Sequence, residues 1–204
     1  LPNFHNPTGI TMSLEKRRQL LKLADIYNVP IIEEDYQRDF SYGKNPPPSL
    51  YTLDTNKMVI YLYSFTLTFP YMMKLGFAVG PTDLIDMLKY ALSVDETVIS
   101  GIGQYFLNEY IDTGKYQHHV ELLQKIYSSR LDLLCKELDK IADKGISYHK
   151  PAGGLTLWCT LAEDINERTL FRAVDERGVL IIPGWVFYTA GKKKEGHIRL
   201  CFSN

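Results

Sequence analysis

Residues 59–81, VIYLYSFTLTFPYMMKLGFAVGP, decide how the chain is read. Val59, Ile60, Tyr61 and Leu62 form a β-branched and aromatic run of strand length. Ser64, Thr66 and Thr68 then put three hydroxyls into a short polar turn before Pro70. Leu75, Gly76, Phe77, Ala78 and Val79 make a second run that reads as a buried strand, stopped by Gly80-Pro81. Hydroxyl donors and one cation, Lys74, between two strands are what an anion site at a strand end requires. Taken by itself, the same stretch is also an ordinary β-connection with incidental Ser and Thr.

Upstream, Leu1 to Gly9 reads as an extended segment, the end of a strand, closed by Asn6-Pro7-Thr8-Gly9, a Pro-Gly turn. Ser13 is an N-cap with Glu15 in the first helical turn, where the helix dipole favours a negative charge. Leu20, Leu21, Ala24 and Tyr27 give that helix an apolar face as far as Asn28. Val29 to Ile32 reads as a short buried strand running into Glu33-Glu34-Asp35-Tyr36. An acidic cluster at the C-terminal end of a strand lies where open α/β sheets bind ligands, although three carboxylates alone are also an ordinary solvated loop. Lys44 to Leu53, with Pro46-Pro47-Pro48, reads as an extended loop.

Downstream, Thr82-Asp83 caps a helix from Leu84 to about Leu92, and Asp95 to Tyr110 is expected to be a second. From Tyr116 to about Ala142, Val120, Leu123, Ile126, Tyr127, Leu131, Leu134 and Leu138 recur at 3- and 4-residue steps, a helix long enough to bridge two lobes. Gly145 ends it. The remainder reads as a small α/β lobe: strands at Ile146–His149 and Leu155–Leu161 around the turn Pro151-Ala152-Gly153-Gly154, a helix at Asn166–Arg177, the run Val179–Ile182, and a last strand, HIRLCF, at 197–202. Arg199 sits on that strand between Ile198 and Leu200, and a buried guanidinium needs a partner, either a carboxylate of the protein or one of a ligand.

Composition narrows the function classes. With 45% hydrophobic and 23% charged residues the chain has the make-up of a soluble globular protein. A formal net charge of −1 argues against a dominant nucleic-acid surface, and no apolar run reaches transmembrane length, so no membrane partner is expected. Cys135, Cys159 and Cys201 are odd in number and far apart in sequence, which fits buried thiols in a reducing, cytoplasmic compartment. His118-His119 lies in a charged helical stretch and reads as a solvated face rather than a metal site. The chain begins at Leu1 rather than Met and reads as a fragment of a longer protein.

NPTG, EEDY, SFTLTF…KLGF, PAGG and HIRLCF, in this order, resemble the fold-type I, pyridoxal-phosphate-dependent aminotransferases of class I/II. The resemblance implies an α/β fold, the C-terminal part of that architecture: residues 1–115 from the large mixed-sheet domain, residues 116–204 a bridging helix and a small α/β domain. It puts Asn6 on the cofactor's phenolic oxygen and Glu34 at the carboxylate position that keeps the pyridine nitrogen protonated, with Asp35 the alternative. Tyr36 takes the ring-contacting position, Ser64, Thr66 and Lys74 the phosphate positions, and Arg199 the fork onto a substrate carboxylate. Three positions depart from the family: Glu34 replaces Asp, Lys74 replaces Arg, and Leu67 stands where the family has its Schiff-base lysine.

Among family members, PTGITMSLEKRRQLL, EEDYQRDF and PPPSL…LD…VIYLYSF are most similar to the aminotransferase-like domain of MocR-type regulators of the GntR family. That resemblance implies an effector-binding domain, a homodimer, and contact with DNA only through a domain outside this chain. Leucine has no amine, so covalent catalysis from position 67 is lost. The reading is therefore a domain that binds an amino-acid-like or carboxylate ligand without turnover. The competing class is an aminotransferase that uses another lysine, Lys74, and a third is a scaffold that binds nothing.

Overall fold

The hydroxyl of Ser13 accepts the Lys16 N–H at 3.3 Å and opens helix α1, Leu14–Tyr27, which Asn28 closes in the left-handed conformation at φ 51°. This computed structural model describes residues 1–43, 45–94, 100–189 and 196–203, and they divide into two compact units. One comprises residues 1–3, 11–39 and 45–123, the other residues 4–10, 40–44 and 124–204.

The first unit carries a three-stranded sheet, β1 (Ile31–Glu34), β2 (Val59–Ser64) and β3 (Gly76–Val79), in that order across the sheet. β1 and β2 are parallel, with Ile31 opposite Val59 and Glu34 opposite Leu62. β2 and β3 are antiparallel, with Tyr63 opposite Phe77 and Ser64 opposite Gly76. The rest of the unit is α1, the short helix α2 (Leu50–Leu53), α3 (Thr82–Val94), α4 (Gly101–Asp112) and the first turns of α5 (Lys115–Asp139).

Burial follows position in the sheet rather than apolar content. Central β2 is buried at Val59, Ile60 and Tyr63. The two outer strands, both expected to be buried, are not: Ile32 of β1 is 65% exposed and Phe77 of β3 is 44% exposed. An apolar run specifies a strand, but its neighbours decide which face is covered. Tyr27, expected on the inner face of α1, is likewise exposed, and the residue that α1 buries completely is Arg17. No strand forms in residues 1–9, where an extended strand end was expected. The expected loop up to Leu53 contains α2, whose cap Ser49 accepts the Thr52 N–H at 3.1 Å. α4 begins at Gly101; the earlier part of the expected helix, residues 95–99, lies outside the described residues, as does Lys44.

Arg17 explains why α1 turns a charged residue inward. Its guanidinium donates to Met12 O at 3.0 Å, Pro48 O at 3.1 Å, Pro2 O at 3.2 Å and to Asn3 Oδ1. Asn3 passes the connection on, its Nδ2 donating to Asp35 Oδ1 at 2.7 Å. Desolvation pulls the Arg17 pKa down, and the carboxylates Glu33 and Asp35 oppose that pull. A fork of donors fixed in a plane is suited to four acceptors that arrive from separate segments.

The second unit is built on an antiparallel sheet of order β4-β5-β7-β6: β4 Ile146–Tyr148, β5 Thr156–Leu161, β6 Ile182–Pro183 and β7 His197–Cys201. Alternation along β5 sends Leu157, Cys159 and Leu161 to one face, where they pack with Leu131, Cys135 and Leu138 of α5, Ile181, Ile198 and Phe202. Each such side chain contributes on the order of 1.5–3 kcal/mol when fully buried. Cys135 and Cys159 are core thiols as expected, whereas Cys201 is exposed, because the alternation of β7 puts it on the other face.

Helix α6, Glu167–Asp175, is capped by Asn166, which accepts the Thr169 N–H at 2.9 Å. Its first residue, Glu167, is buried and bonds two separate segments. One carboxylate oxygen accepts Gly184 N–H at 2.6 Å and Trp185 N–H at 3.4 Å, and the other accepts Gly196 N–H at 2.8 Å. Nothing in the residues around Glu167 announces this role.

Two stability outcomes follow from these buried charges. Arg17→Met takes a donor away from four acceptors, of which Pro2 O keeps the Met12 N–H, and should lower the unfolding free energy by about 3–5 kcal/mol, read from the denaturant midpoint. Arg17→Lys should recover little of it, since one ammonium cannot serve four dispersed acceptors. Glu167→Gln turns one acceptor into an NH2 facing a backbone N–H and should cost about 1–3 kcal/mol. Hydrogen exchange should quicken first at Gly184 and Gly196; unchanged exchange there would reject Glu167 as their anchor.

Candidate functional site

The hydroxyl turn follows directly from the end of β2. Phe65 N–H donates to Leu75 O at 2.9 Å, and Thr68 and Phe69 N–H groups both return to Phe65 O, at 3.0 and 2.8 Å. This closes residues 65–69 into a single turn between β2 and the 3-10 turn Tyr71–Met73. Ser64 Oγ and Thr66 Oγ1 are brought to 2.9 Å, and the Thr66 N–H lies 3.3 Å from Ser64 Oγ. One hydroxyl hydrogen bridges the pair, which leaves the other for an outside acceptor. Leu67 is half-buried in the same turn, and Lys74 is exposed at its far end, in the left-handed conformation at φ 45°. Thr68 points elsewhere: it is buried, with its hydroxyl 3.0 Å from Tyr116 OH.

The three carboxylates at the end of β1 have three different fates. Glu33 is buried and accepts the N–H groups of Leu50 and Tyr51, both at 2.9 Å, so it caps α2. Desolvation raises its pKa, and those two backbone bonds pull it back down. Asp35 is 1% exposed; it accepts from Asn3 and, on its other oxygen, from Arg38 Nη1 and Tyr61 OH, both at 3.2 Å. Burial together with Asp35 drives the Tyr61 pKa well above that of free tyrosine. Asp35 is thus committed to the interior and is no alternative to Glu34. Glu34 alone is exposed, where β1 ends. Tyr36, half-buried, accepts from Gln37 Nε2 at 3.2 Å.

The second unit holds the other two expected residues and brings them together. The NPTG loop is closed by Gly9 N–H to His5 O at 2.6 Å and by His5 Nδ1 with Thr8 Oγ1 at 2.8 Å. Gly9 has φ +68°, and a Cβ there would come within 2.9 Å of Pro151 Cβ, so the loop needs glycine twice over. The PAGG turn supports it from below: Gly154 N–H donates to Phe40 O at 2.8 Å, and Tyr42 OH to Gly154 O at 2.6 Å. On β7, Arg199 lies opposite Trp158 and Ile182. Its Nη1 donates to Asn6 Oδ1 at 3.0 Å, and its guanidinium carbon stands 5.4 Å from the centroid of the Phe187 ring.

Arg199 Nε is buried and has no hydrogen-bond partner among the described residues. No salt bridge among the described residues includes this arginine, so the internal carboxylate pair allowed by its place on the strand is not what holds it. A buried donor without an acceptor is costly, and a ligand oxygen is the usual remedy.

These groups fit a phosphorylated pyridine cofactor in part. A hydroxyl pair with a backbone N–H beside it suits a phosphate oxygen, and an exposed carboxylate beyond a strand end suits a cationic ring nitrogen. Leu67 offers no nitrogen for covalent attachment. Residues that the sequence did not reveal as part of this region are Thr68 as a buried anchor, Asp39, Tyr63 and Tyr116 around it, and the Arg17–Asn3–Asp35 chain. Their only signal was polar residues in otherwise apolar elements, which sequence spacing does not pair. His118 and His119 join no cluster of metal-binding groups among the described residues, and among those residues no helix is long and apolar enough to cross a membrane.

Comparison with known proteins agrees with this geometry. The family model "Aminotransferase class I and II" matches residues 1–204. The chain is 28% identical over 203 residues to an uncharacterized HTH-type transcriptional regulator, YisV of Bacillus subtilis, covering 100% of this chain and 41% of that one. It is 27% identical over 203 residues to aromatic-amino-acid aminotransferase 1 of Thermococcus litoralis, covering 100% of this chain and 48% of that protein. Among solved structures, Pyrococcus horikoshii kynurenine aminotransferase superposes with a TM-score of 0.92 at 30% identity, over 100% of this chain and 50% of the other. The chain thus spans about half the length of the proteins it matches and forms part of a fold-type I aminotransferase domain. With the family model fitting along its whole length and the fold superposing throughout, this chain belongs to the class I and II aminotransferase family.

Proposed function

We propose that this chain is the aminotransferase-like, effector-binding part of a GntR/MocR-type transcriptional regulator, which holds a carboxylate-bearing, amino-acid-like ligand and does not turn it over. The observation that carries the reading is Arg199, bonded to Asn6 at 3.0 Å and with a buried Nε that no group among the described residues satisfies. Leu67 at the lysine position removes the nucleophile that transamination needs, while the ligand-gripping side chains remain. Within the first unit Ser64, Thr66 and Lys74 would hold a phosphate, Tyr36 would contact a pyridine ring and Glu34 its nitrogen; within the second, Asn6 would meet a phenolic oxygen and Arg199 a carboxylate. Pyridoxal phosphate, when bound, supplies an electron sink for bonds at an amino acid's α-carbon.

The regulator reading is supported by the HTH-type relatives, of which this chain covers less than half, which leaves length for a DNA-binding segment. DNA contact belongs to such a segment, and a homodimer is the proposed assembly. The match to an aromatic-amino-acid aminotransferase favours a second reading, an enzyme with Lys74 as its lysine. Lys74 is exposed on a left-handed residue seven positions along from Leu67, so its amine would have to reach back over the turn.

The two readings separate in one measurement. Full-length protein incubated with pyridoxal phosphate and then borohydride should carry no covalent adduct on any lysine and show no visible Schiff-base band. An adduct mapped to Lys74 would establish the enzyme instead.

Ligand binding is tested at Arg199. Arg199→Met keeps most of the aliphatic volume and removes one hydrogen bond from a neutral amide rather than from a charge. It should lose about 2–5 kcal/mol of affinity for a carboxylate ligand found by an amino-acid screen. Its melting temperature should stay close to wild type, because one neutral partner lost costs about 1 kcal/mol. A large drop in melting temperature, with no amino acid raising the wild-type midpoint, would assign Arg199 to structure and end the sensor reading.

A further inference from the structure

At Asp39 three hydroxyls are linked to one another and to a single carboxylate oxygen. Tyr63 OH and Tyr116 OH both donate to Asp39 Oδ2, the second at 2.8 Å. A phenol has one hydrogen, so the Tyr116 oxygen is left as an acceptor, and Thr68 Oγ1 lies 3.0 Å from it. The two phenol oxygens stand 3.1 Å apart, held there by the shared carboxylate. Burial and the Asp39 charge raise the Tyr63 pKa far above that of free tyrosine; burial, more than Asp39, pushes Tyr116 up to about 12. Both phenols therefore keep their hydrogens at neutral pH.

This cluster is not merely near the hydroxyl turn, for Tyr116 touches the turn on both sides of Thr66 and Leu67. Its hydroxyl meets Thr68, and its ring packs edge-on against Phe65 at 5.8 Å and 78°. Phe65 in turn stands edge-on to Tyr63 at 5.0 Å. Phe65 O receives the two N–H groups that close the turn. The residues that flank Thr66 are thus pinned from outside the turn, by the first helical turn of α5.

We propose that Tyr116 is a positioning residue for the phosphate-binding turn. Through Thr68 and Phe65, and braced by Asp39 and Tyr63, it sets the Ser64 and Thr66 hydroxyls in place before an anion arrives. This rests on the reading of Ser64 and Thr66 as phosphate ligands. A donor pair fixed in advance binds more tightly than one that must be ordered on binding.

The test compares pyridoxal phosphate with pyridoxal, which lacks the phosphate, in the full-length protein by fluorescence titration. Tyr116→Phe deletes one oxygen and keeps the ring against Phe65; Thr68→Val keeps the shape and removes the hydroxyl. Each should weaken pyridoxal phosphate binding about tenfold, roughly the worth of one charge-assisted hydrogen bond, and leave pyridoxal binding unchanged. The double variant should be no weaker than either single one, and Thr68→Ser should bind as wild type. Thr66→Val, which removes a direct contact, is the control. If Thr66→Val weakens binding and Tyr116→Phe does not, the positioning role is wrong and the phosphate turn stands. If neither does, or if the wild type binds no pyridoxal phosphate, the phosphate turn itself is wrong and the proposal goes with it. Equal loss of both ligands by Tyr116→Phe, with a lowered melting temperature, would make the tyrosine a structural residue only.

Discussion

The first unit depends on a guanidinium with no access to solvent. Arg17 gathers acceptors from Pro2, Asn3, Met12 and Pro48, segments distant along the chain that no hydrophobic contact would bring to one point. Removing a charge from water on this scale is tolerated only when its donors are met by acceptors, so the four acceptors cannot drift independently. Asn3 carries the constraint on to Asp35, and Asp35 to Arg38 and Tyr61, which fixes the segment that follows β1. An interior of this kind gives geometric definition where apolar packing would leave latitude.

That constraint sorts the carboxylates of Glu33-Glu34-Asp35. Two are consumed by structure: Glu33 as the cap of α2, Asp35 as the hub of the buried chain. Because both neighbours point inward and are satisfied there, Glu34 is the carboxylate left facing out at the strand end. Which carboxylate faces out is thus selected by what its neighbours do.

The second unit shows the complementary economy. Glu167, buried on α6, satisfies three backbone donors, whereas Arg199 has a buried nitrogen that no atom of the described residues meets. Satisfied buried charges are structural; an unsatisfied one invites a ligand. Leu67 is the apolar side chain of a turn whose Ser64 and Thr66 hydroxyls face one another at 2.9 Å.

Sequence alone determined the element types, most of their limits and the order of the motifs. Periodicity, caps and turn residues act within a few positions of themselves: Ser13 capped α1, Asn166 capped α6, and the run from Tyr116 to Leu138 became a helix close to the expected bounds. The same local information placed Asn6, Glu34, Tyr36, Ser64, Thr66 and Lys74 on loops, turns and strand ends, and Arg199 within a strand. Tertiary structure decided which apolar runs are covered, because β1 and β3 lie at the edges of their sheet and only β2 is central. It also decided which polar residues are partners. Arg17 with Pro48, Tyr116 with Thr68, and Arg199 with Asn6 are separated by 31, 48 and 193 positions. Hydrogen bonds act over about 3 Å of space, and no spacing along the chain encodes which distant donor will come within that reach.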